Sequence, residues 1–167
     1  KRVKLLIIIH GEKMNKDLVD KHGRHIHKLR VSLLDACNMR CMYCMPEKRE
    51  FVPTRDCLTA AQTIDICTNL VELGIDEIRL TGGEPLLRSD VREIVEGLDN
   101  LPLKKLGLTT NAIKLMKNLD WLKDTNCKHL NISLDSLDKD KFFQITKTNV
   151  LDEVLEAILT AKEMGFN

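Results

Sequence analysis

The chain has 167 residues, of which 31% are charged and 43% belong to the hydrophobic class. That composition is ordinary for one globular domain with a sizeable core, and it excludes intrinsic disorder of the whole chain. The formal net charge is +1, so charge alone does not indicate nucleic acid, and no apolar run reaches the roughly 18–20 residues of a membrane span.

The first residues differ in character from the rest of the chain. Three basic residues, Lys1, Arg2 and Lys4, precede the apolar run 5–9, which is shorter than the roughly 7–15 residues of a signal-peptide core. The sequence does not begin with Met. We therefore interpret residues 1–13 as an N-terminal extension, or as upstream sequence translated before a true start at Met14.

From Lys28 onward the pattern alternates between strand and helix. Four strands are predicted at 29–35, 77–82, 105–111 and 129–136. Four helices are predicted at 59–73, 89–98, 115–123 and 151–164. Consecutive βα units form a parallel sheet with right-handed crossovers, so the predicted fold class is α/β.

Each predicted strand alternates apolar and polar residues. In the first strand, Leu29, Val31 and Leu33 alternate with Arg30 and Ser32. Parallel strands covered by helices on both faces are apolar throughout, so we expect helices on one face only. The other face would line a polar cavity, as in a barrel or half-barrel. A half-exposed sheet is the simpler alternative.

Three of the six cysteines form a C-x3-C-x2-C run, Cys37, Cys41 and Cys44, just after the first strand. The carboxyl ends of parallel strands are where βα sheets place active sites. A structural zinc site takes four ligands, whereas an iron–sulfur cluster can be held by three and leave one iron open. This clustering predicts a metal site in a reducing, cytoplasmic compartment rather than a disulfide scaffold.

The other cysteines are interpreted as structural. Cys67 lies on the apolar stripe of the first predicted helix, and Cys127 is isolated. Cys57 is a candidate fourth ligand, but its surroundings are typical of a loop that enters a helix.

Polar residues follow the other three strands at the same edge of the sheet. Gly82 and Gly83 would let backbone amides approach a ligand, and Glu84 would bind an amino group. Residues 109–111 and 133–136 end the third and fourth strands, where each alone is typical of a turn or helix cap. Together, these segments would place four polar strand ends around one opening.

Alternation places Arg30 and Arg79 on the polar face of the sheet. Two arginines in one cavity favour an anionic substrate or one rich in hydrogen-bond acceptors. The alternative is that they form structural ion pairs with Glu84 or Asp135.

With Tyr43 before its third cysteine, the C-x3-C-x2-C run resembles the radical S-adenosylmethionine (SAM) superfamily. Gly82-Gly83-Glu84-Pro85 is similar to that superfamily's amino-group-binding motif. Further motifs resemble the GTP 3',8-cyclase family of molybdenum cofactor biosynthesis; they lie at 21–24, 29–32, 37–46, 79–86, 108–111 and 131–136. The resemblance implies that residues 14–167 are a radical SAM core domain, the first half of a partial TIM-like barrel. We expect this domain to be truncated where a fifth strand should begin.

The resemblance also assigns roles to individual positions. A [4Fe-4S] cluster would be ligated by Cys37, Cys41 and Cys44. Positions that match SAM-contacting residues are Tyr43, Gly83, Glu84 and Ser133. Positions that match GTP-contacting residues are Arg30, Arg79 and Thr109. No side chain beyond the cluster is expected to act as a catalyst.

The implied activity is that of a radical SAM lyase that converts GTP to (8S)-3',8-cyclo-7,8-dihydroguanosine 5'-triphosphate. Implied partners are GTP, an electron donor such as flavodoxin or ferredoxin, and a second copy of the chain in a homodimer. Neither nucleic acid nor a membrane is expected as a partner. We expect this chain alone to be inactive, because the family carries a second cluster in a C-terminal half.

Two alternatives stay open: another radical SAM enzyme of the peptide-modifying type, or a non-catalytic fragment that holds a cluster or zinc. Arg30 and Arg79 favour a nucleotide over a peptide. One departure from the family pattern is Ala112, which follows Thr-Thr-Asn where the family commonly has Gly. This change would alter the local turn.

Overall fold

The computed structural model describes residues 18–45 and 50–167, so the predicted extension at 1–13 and Met14 lie outside the described residues. Its centre is one parallel sheet with strands in the order β1-β2-β3-β4. The strands are β1 (Lys28–Ser32), β2 (Glu77–Thr81), β3 (Lys105–Thr110) and β4 (His129–Ile132). Helices alternate with these strands, which confirms the α/β class and is consistent with a partial barrel.

Helical segments follow each strand. They are α1 (Ala60–Glu72), α2 (Val91–Asp99), α3 (Leu119–Leu122), α4 (Lys139–Thr146) and α5 (Leu151–Glu163). In this described part of the chain, no helix is both long and apolar enough to cross a membrane.

Two helix predictions need correction. The predicted helix 115–123 contracts to α3, because the backbone before it forms a turn in which Leu115 bonds to Ala112 and Asn118 bonds to Leu115. Helix α4 is absent from the predictions, since its sequence KDKFFQIT is short and five of its eight residues are charged or polar. Its position beside the cysteines makes this the more important omission.

The sheet has the two different faces that the alternation predicts. On the apolar face, Ile78, Leu80, Leu106 and Leu108 are at most 2% exposed and belong to the core that the helices cover. On the polar face, Arg30 is exposed, and Arg79 on β2 and His129 on β4 are partly exposed. A ligand could therefore reach the polar face without displacing a helix.

Local signals in the sequence set the position of α1 beneath the sheet. The Thr59 hydroxyl accepts from the Gln62 N–H at 3.2 Å, and the Gln62 side chain accepts from the Thr59 N–H at 3.0 Å. This capping box fixes where the helix begins. Arg88, which is 5% exposed, donates to the carbonyls of Leu33 and Leu58 at 2.8 and 2.6 Å. It thereby ties the end of β1 to the loop that leads into α1.

All four predicted strands extend one or more residues too far at the carboxyl end. After Ser32 the backbone of the first strand turns away, and the carbonyls of Leu34 and Ala36 accept from Gly83 and Glu84. At the other edge, Asn167 lies beside β4, where its backbone bonds to Lys128 and Leu130 on both sides at 2.8 Å. This is the hydrogen-bond pattern of a parallel ladder. A fifth strand from this point stays a prediction.

Candidate functional site

The cysteine loop, residues 36–45, lies at the carboxyl end of the sheet directly after β1. Met39 is 3% exposed, so its side chain anchors the loop in the core. The N–H groups of Cys44 and Met45 both bond to the Cys41 carbonyl, at 2.9 and 3.0 Å. This tight turn brings the last two cysteines of the motif together.

All three thiols of the motif are free, and they share one electrostatic environment. Cys37 and Cys41 are half-buried, and Cys44 is exposed. Burial raises the pKa of Cys37 and of Cys41, and a negative charge on Cys44 raises both further. Bringing three such thiolates together therefore requires a cation, such as the irons of a cluster, to offset their charge.

The three cysteine sulfurs are not gathered at one point. Within the described residues, the three metal-type donor atoms that all lie within 4.8 Å of one another belong to His27, Asp76 and Glu77. An iron–sulfur cluster takes its thiolates on separate irons, so its ligands need not meet at a single ion. A single zinc ion would require the three thiols to move closer together.

The turn after β2 is packed against the backbone of the cysteine loop. A Cβ on Gly82 would lie 2.3 Å from the Leu34 oxygen, and one on Gly83 would lie 2.1 Å from the Ala36 oxygen. The Gly83 N–H also donates to the Leu34 carbonyl at 2.7 Å. The prediction that these glycines leave amides open is therefore wrong for the Gly83 N–H, which is used within the protein.

Glu84 is wholly buried, at 0% exposure. One oxygen accepts from the Leu86 N–H at 3.1 Å and the Thr110 hydroxyl at 2.8 Å, and the other accepts from the Asn111 N–H at 2.7 Å. Burial raises the pKa of Glu84. The sequence motif predicts that this carboxylate binds the amino group of a ligand. In the structure it instead joins the ends of β2 and β3.

Asn111 is a site residue for which the sequence analysis found no role beyond a turn. It is 6% exposed, and its side-chain amide donates to the Asn38 oxygen at 2.7 Å and to the Cys37 sulfur at 3.6 Å. The signal available in the sequence was its place at the end of β3, on the same edge as the cysteines.

Tyr43 connects the cysteine loop to the segment after β4. Its hydroxyl donates to the Asp135 carboxylate at 2.9 Å, although two-thirds of the residue is exposed. Partial burial and the nearby carboxylate raise the pKa of Tyr43. Ser133, also predicted to contact SAM, is exposed at the same strand end, where its N–H donates to the Thr110 carbonyl at 2.9 Å. The two residues therefore lie on the same edge of the sheet.

The last turn of α4 holds the cysteine loop from the other side. The N–H of Arg40 donates to the Thr146 carbonyl at 3.0 Å, and the N–H of Met42 donates to the Ile145 carbonyl at 2.9 Å. These carbonyls at the end of a helix lack partners within the helix, so they can accept from the loop. The overlooked helix is thus part of the site.

The two predicted arginines lie side by side on the polar face. The strand register aligns Arg30, Arg79, Gly107 and His129 in one row across the sheet. Within the described residues, neither arginine forms an ion pair with Glu84 or with Asp135. The structural ion pairs considered as an alternative are therefore not formed, and both arginines line a pocket of about 210 Å³.

Thr109, the third residue predicted to contact GTP, lies on β3. Its hydroxyl oxygen is buried and has no hydrogen-bond partner within the described structure. Buried hydroxyls are almost always paired with protein, water or a ligand. An unpaired hydroxyl on the polar face can bond to water or to a ligand.

Cys57, Cys67 and Cys127 lie apart from this arrangement. Cys67 and Cys127 are at most 1% exposed within the core, as a structural role requires. The Cys57 thiol donates to the Pro53 carbonyl at 3.9 Å.

Comparison with known proteins agrees with this geometry. The model of the radical SAM superfamily matches residues 31–167, which include the cysteine loop and every strand but the start of β1. The chain belongs to the radical SAM superfamily. Membership implies a [4Fe-4S] cluster and SAM as cofactors, and the three spaced thiols are a suitable donor set for that cluster.

Relatives within the superfamily are similar over most of this radical SAM chain. It is 48% identical over 153 residues to the GTP 3',8-cyclase of Synechocystis sp., a match that covers 92% of this chain and 47% of the relative. It is 42% identical over 149 residues to the GTP 3',8-cyclase of Marinobacter nauticus, covering 89% and 45%. The chain thus spans about half the length of the relatives it matches.

A solved structure shows the same fold at low sequence identity. Streptococcus suis SuiB, bound to its precursor peptide SuiA, superposes with a TM-score of 0.73 and 20% identity. The match covers 84% of this chain and 31% of SuiB. At this identity the likeness is one of fold only.

Proposed function

We propose that this chain is the cluster-bearing part of a GTP 3',8-cyclase, a radical SAM lyase. The observation that carries the proposal is the arginine pair, which lines a pocket over the amino-terminal halves of β1, β2 and β3, on the sheet that carries the cysteine loop. The similarity to cyclases over most of the chain supports the same assignment. The product would be (8S)-3',8-cyclo-7,8-dihydroguanosine 5'-triphosphate.

The cofactor end of the proposed site is the cysteine loop. Cys37, Cys41 and Cys44 would each ligate one iron of a [4Fe-4S] cluster. When bound, the cluster supplies the electron that cleaves SAM to methionine and a 5'-deoxyadenosyl radical. The chain's own contribution is to hold the loop at a fixed place, through the turn at Gly83 and the carbonyls of α4.

Residues for SAM would come from the surrounding strand ends. Tyr43, Gly83 and Ser133 lie at this edge and are proposed to contact SAM. Glu84 is proposed to act differently from the sequence-based assignment. Because its carboxylate is buried, it would shape the SAM pocket by fixing the ends of β2 and β3, without touching the ligand.

Residues for GTP would come from the polar face. Arg30 and Arg79 would bind phosphate oxygens, since a guanidinium donates two parallel hydrogen bonds to such groups. The unpaired hydroxyl of Thr109 would accept a hydrogen bond from GTP or donate one to it.

The remaining partners are also proposals. An electron donor such as flavodoxin or ferredoxin is required by the chemistry, and a homodimer stays a prediction. A cytoplasmic location fits the cysteines, since all six are free and an oxidising compartment would damage the cluster ligands. We expect the chain alone not to cyclise GTP, and detection of the product from this polypeptide would contradict that expectation.

Anaerobic reconstitution with iron and sulfide tests the cluster. We expect a brown protein that absorbs near 400 nm, as such clusters do. Cys41→Ser should lose most of the bound iron, whereas Cys57→Ser, which changes a thiol outside the motif, should keep it. A colourless protein that binds zinc with the same affinity in both variants would refute the cluster.

Binding of GTP to the reconstituted chain tests the substrate. Arg79→Ala should weaken binding at least tenfold, since it removes a charged donor pair. Arg92→Ala is the matched control, because Arg92 is an exposed arginine on α2 that pairs with Glu96 at 2.7 Å. Equal affinity of both variants and the wild type would contradict a nucleotide site on the polar face.

A further inference from the structure

One buried polar side chain beside the cysteine loop has no part in the proposed binding of SAM or GTP. Asn111 is the first residue after β3, and its side-chain nitrogen lies 3.6 Å from the Cys37 sulfur. The same nitrogen donates to the Asn38 oxygen at 2.7 Å. An amide has two N–H groups, so it can make both contacts at once.

The orientation of this amide is fixed by its other end. The Asn111 side-chain oxygen accepts from the Ile113 N–H at 3.1 Å. A backbone N–H can only donate, so the oxygen must face Ile113 and the nitrogen must face Cys37. The contact with sulfur is therefore an N–H···S hydrogen bond.

The backbone that carries Asn111 is also held firmly. Its N–H donates to Glu84 at 2.7 Å, and the next residue, Ala112, donates its N–H to the Thr110 hydroxyl at 3.0 Å. Ala112 has the left-handed φ of 66°, which a residue with a Cβ adopts only when its surroundings enforce it. The side chain of Asn111 is thus directed at Cys37 by a rigid turn.

We propose that Asn111 is a positioning residue for the iron–sulfur cluster, which it serves by donating an N–H···S hydrogen bond to Cys37. This inference rests on the proposed cluster at the cysteine loop. Hydrogen bonds to cluster sulfurs are one of the protein's means of setting a reduction potential. A donor stabilises the reduced cluster more than the oxidised one, because the reduced cluster carries more negative charge. Asn111 therefore makes the cluster easier to reduce.

The experiment compares variants of the anaerobically reconstituted full chain. Asn111→Leu removes the donor and keeps a side chain of similar size. Asn118→Leu is the matched control: Asn118 is a half-buried amide that donates to the Lys114 carbonyl at 2.7 Å and accepts from Trp121 at 2.8 Å. Both substitutions remove one well-bonded amide, but only the first touches the cysteine loop.

We expect the reduction potential of Asn111→Leu to shift to a more negative value. We also expect its reduced cluster to lose an exchangeable proton coupling in electron–nuclear double resonance. Asn118→Leu should match the wild type in both measurements. Asn111→Asp is a second variant in case the first fails to fold, because its carboxylate still accepts from Ile113 and cannot donate to Cys37. It should also show the negative shift.

Two results would overturn the inference, and they have different meanings. A wild-type chain that assembles no cluster would refute the proposed function, and the inference with it. A wild-type chain that assembles the cluster, with unchanged potential and proton coupling in the Asn111 variants, would refute the inference alone. A shift of equal size in Asn118→Leu would also refute it, since the effect would then be one of general stability.

Discussion

At the amino end of the sheet, charged side chains pair with one another in contact with water, whereas at the carboxyl end a lone carboxylate is buried among neutral donors. Asp76 lies 3.0 Å from His27 and 2.6 Å from Lys104, and Glu77 lies 3.2 Å from Lys28. These side chains are 22–80% exposed, and Glu84 is 0% exposed.

This difference means that side chains can be displaced at low energetic cost at the amino end of the sheet, but not at the carboxyl end. Water and salt screen the exposed pairs, so small displacements at the amino end cost little. In the buried network around Glu84, a donor that loses its acceptor cannot bond to water instead. The protein then bears the full desolvation cost of that donor. The carboxyl end therefore maintains a precise geometry, and the cysteine loop is attached to that end.

The largest effect should come from Gly83→Ala. A Cβ there would lie 2.1 Å from the Ala36 oxygen, so the cysteine loop would have to move, and we expect unfolding to require about 3 kcal/mol less. Gly23→Ala is the control: it has a left-handed φ of 76° but nothing within 4 Å, and should cost about 1 kcal/mol. Urea unfolding measures both, and equal losses would contradict the close backbone contact.

Glu84→Gln should have the next largest effect. Both oxygens of Glu84 accept hydrogen bonds, and the glutamine amide replaces one of these oxygens with an NH2 group. At least one buried donor therefore loses its acceptor, and stability falls by about 2 kcal/mol. Burial raises the pKa of Glu84 above its ordinary value of 4.5. The folded state therefore holds that proton more tightly, and the wild type should lose stability relative to the variant as pH rises from 4.5. A difference independent of pH would argue against the buried carboxyl.

Ala112→Gly should act in the opposite direction. Glycine adopts the left-handed φ of 66° without strain, and this relief is partly offset by the greater freedom of the unfolded chain. We expect a net gain of about 0.5 kcal/mol in the free energy of unfolding. Ala157→Gly in the middle of α5 is the control and should cost about 1 kcal/mol. A loss in both variants would mean that the turn carries no strain.

Asp76→Asn should have the smallest effect, with the opposite dependence on pH from Glu84. Hydrogen bonds from Lys104 and His27 lower the pKa of Asp76 below its ordinary 3.8. The contribution to stability is therefore present above pH 3.8 and is lost as pH falls through the lowered pKa. Unfolding curves at several pH values between 2 and 7 should show the two proteins converge at the acid end. A gap that widens there would contradict the ion pairs.

Much of this fold could be predicted because each strand shows an alternation of apolar and polar residues within its own sequence. The alternation of Leu29 and Val31 with Arg30 gave both the strand and its two faces, and the structure places each residue accordingly. The start of α1 was also predictable, since Thr59 and Gln62 are a local pair. Such signals depend on residues close together in sequence.

The site was less predictable because its contacts join distant segments. Within its own motif, Glu84 has the character of a ligand-binding residue. Its buried position depends on hydrogen bonds from Thr110 and Asn111, at the end of the next strand, which its own motif does not reveal. Helix α4 has no strong apolar stripe, so its periodicity gave no signal. Gly83 was recognised as important, but its close neighbour Ala36 belongs to a different loop.

The contacts between the cysteine loop and α4 also restrict when the site can take shape during synthesis. Arg40 and Met42 leave the ribosome early, but Thr146 and Ile145, which accept their N–H groups, emerge only near the end of this chain. Until then, these two hydrogen bonds from the loop cannot form. The three thiols would thus reach their final spacing late, and cluster insertion belongs after translation of α4.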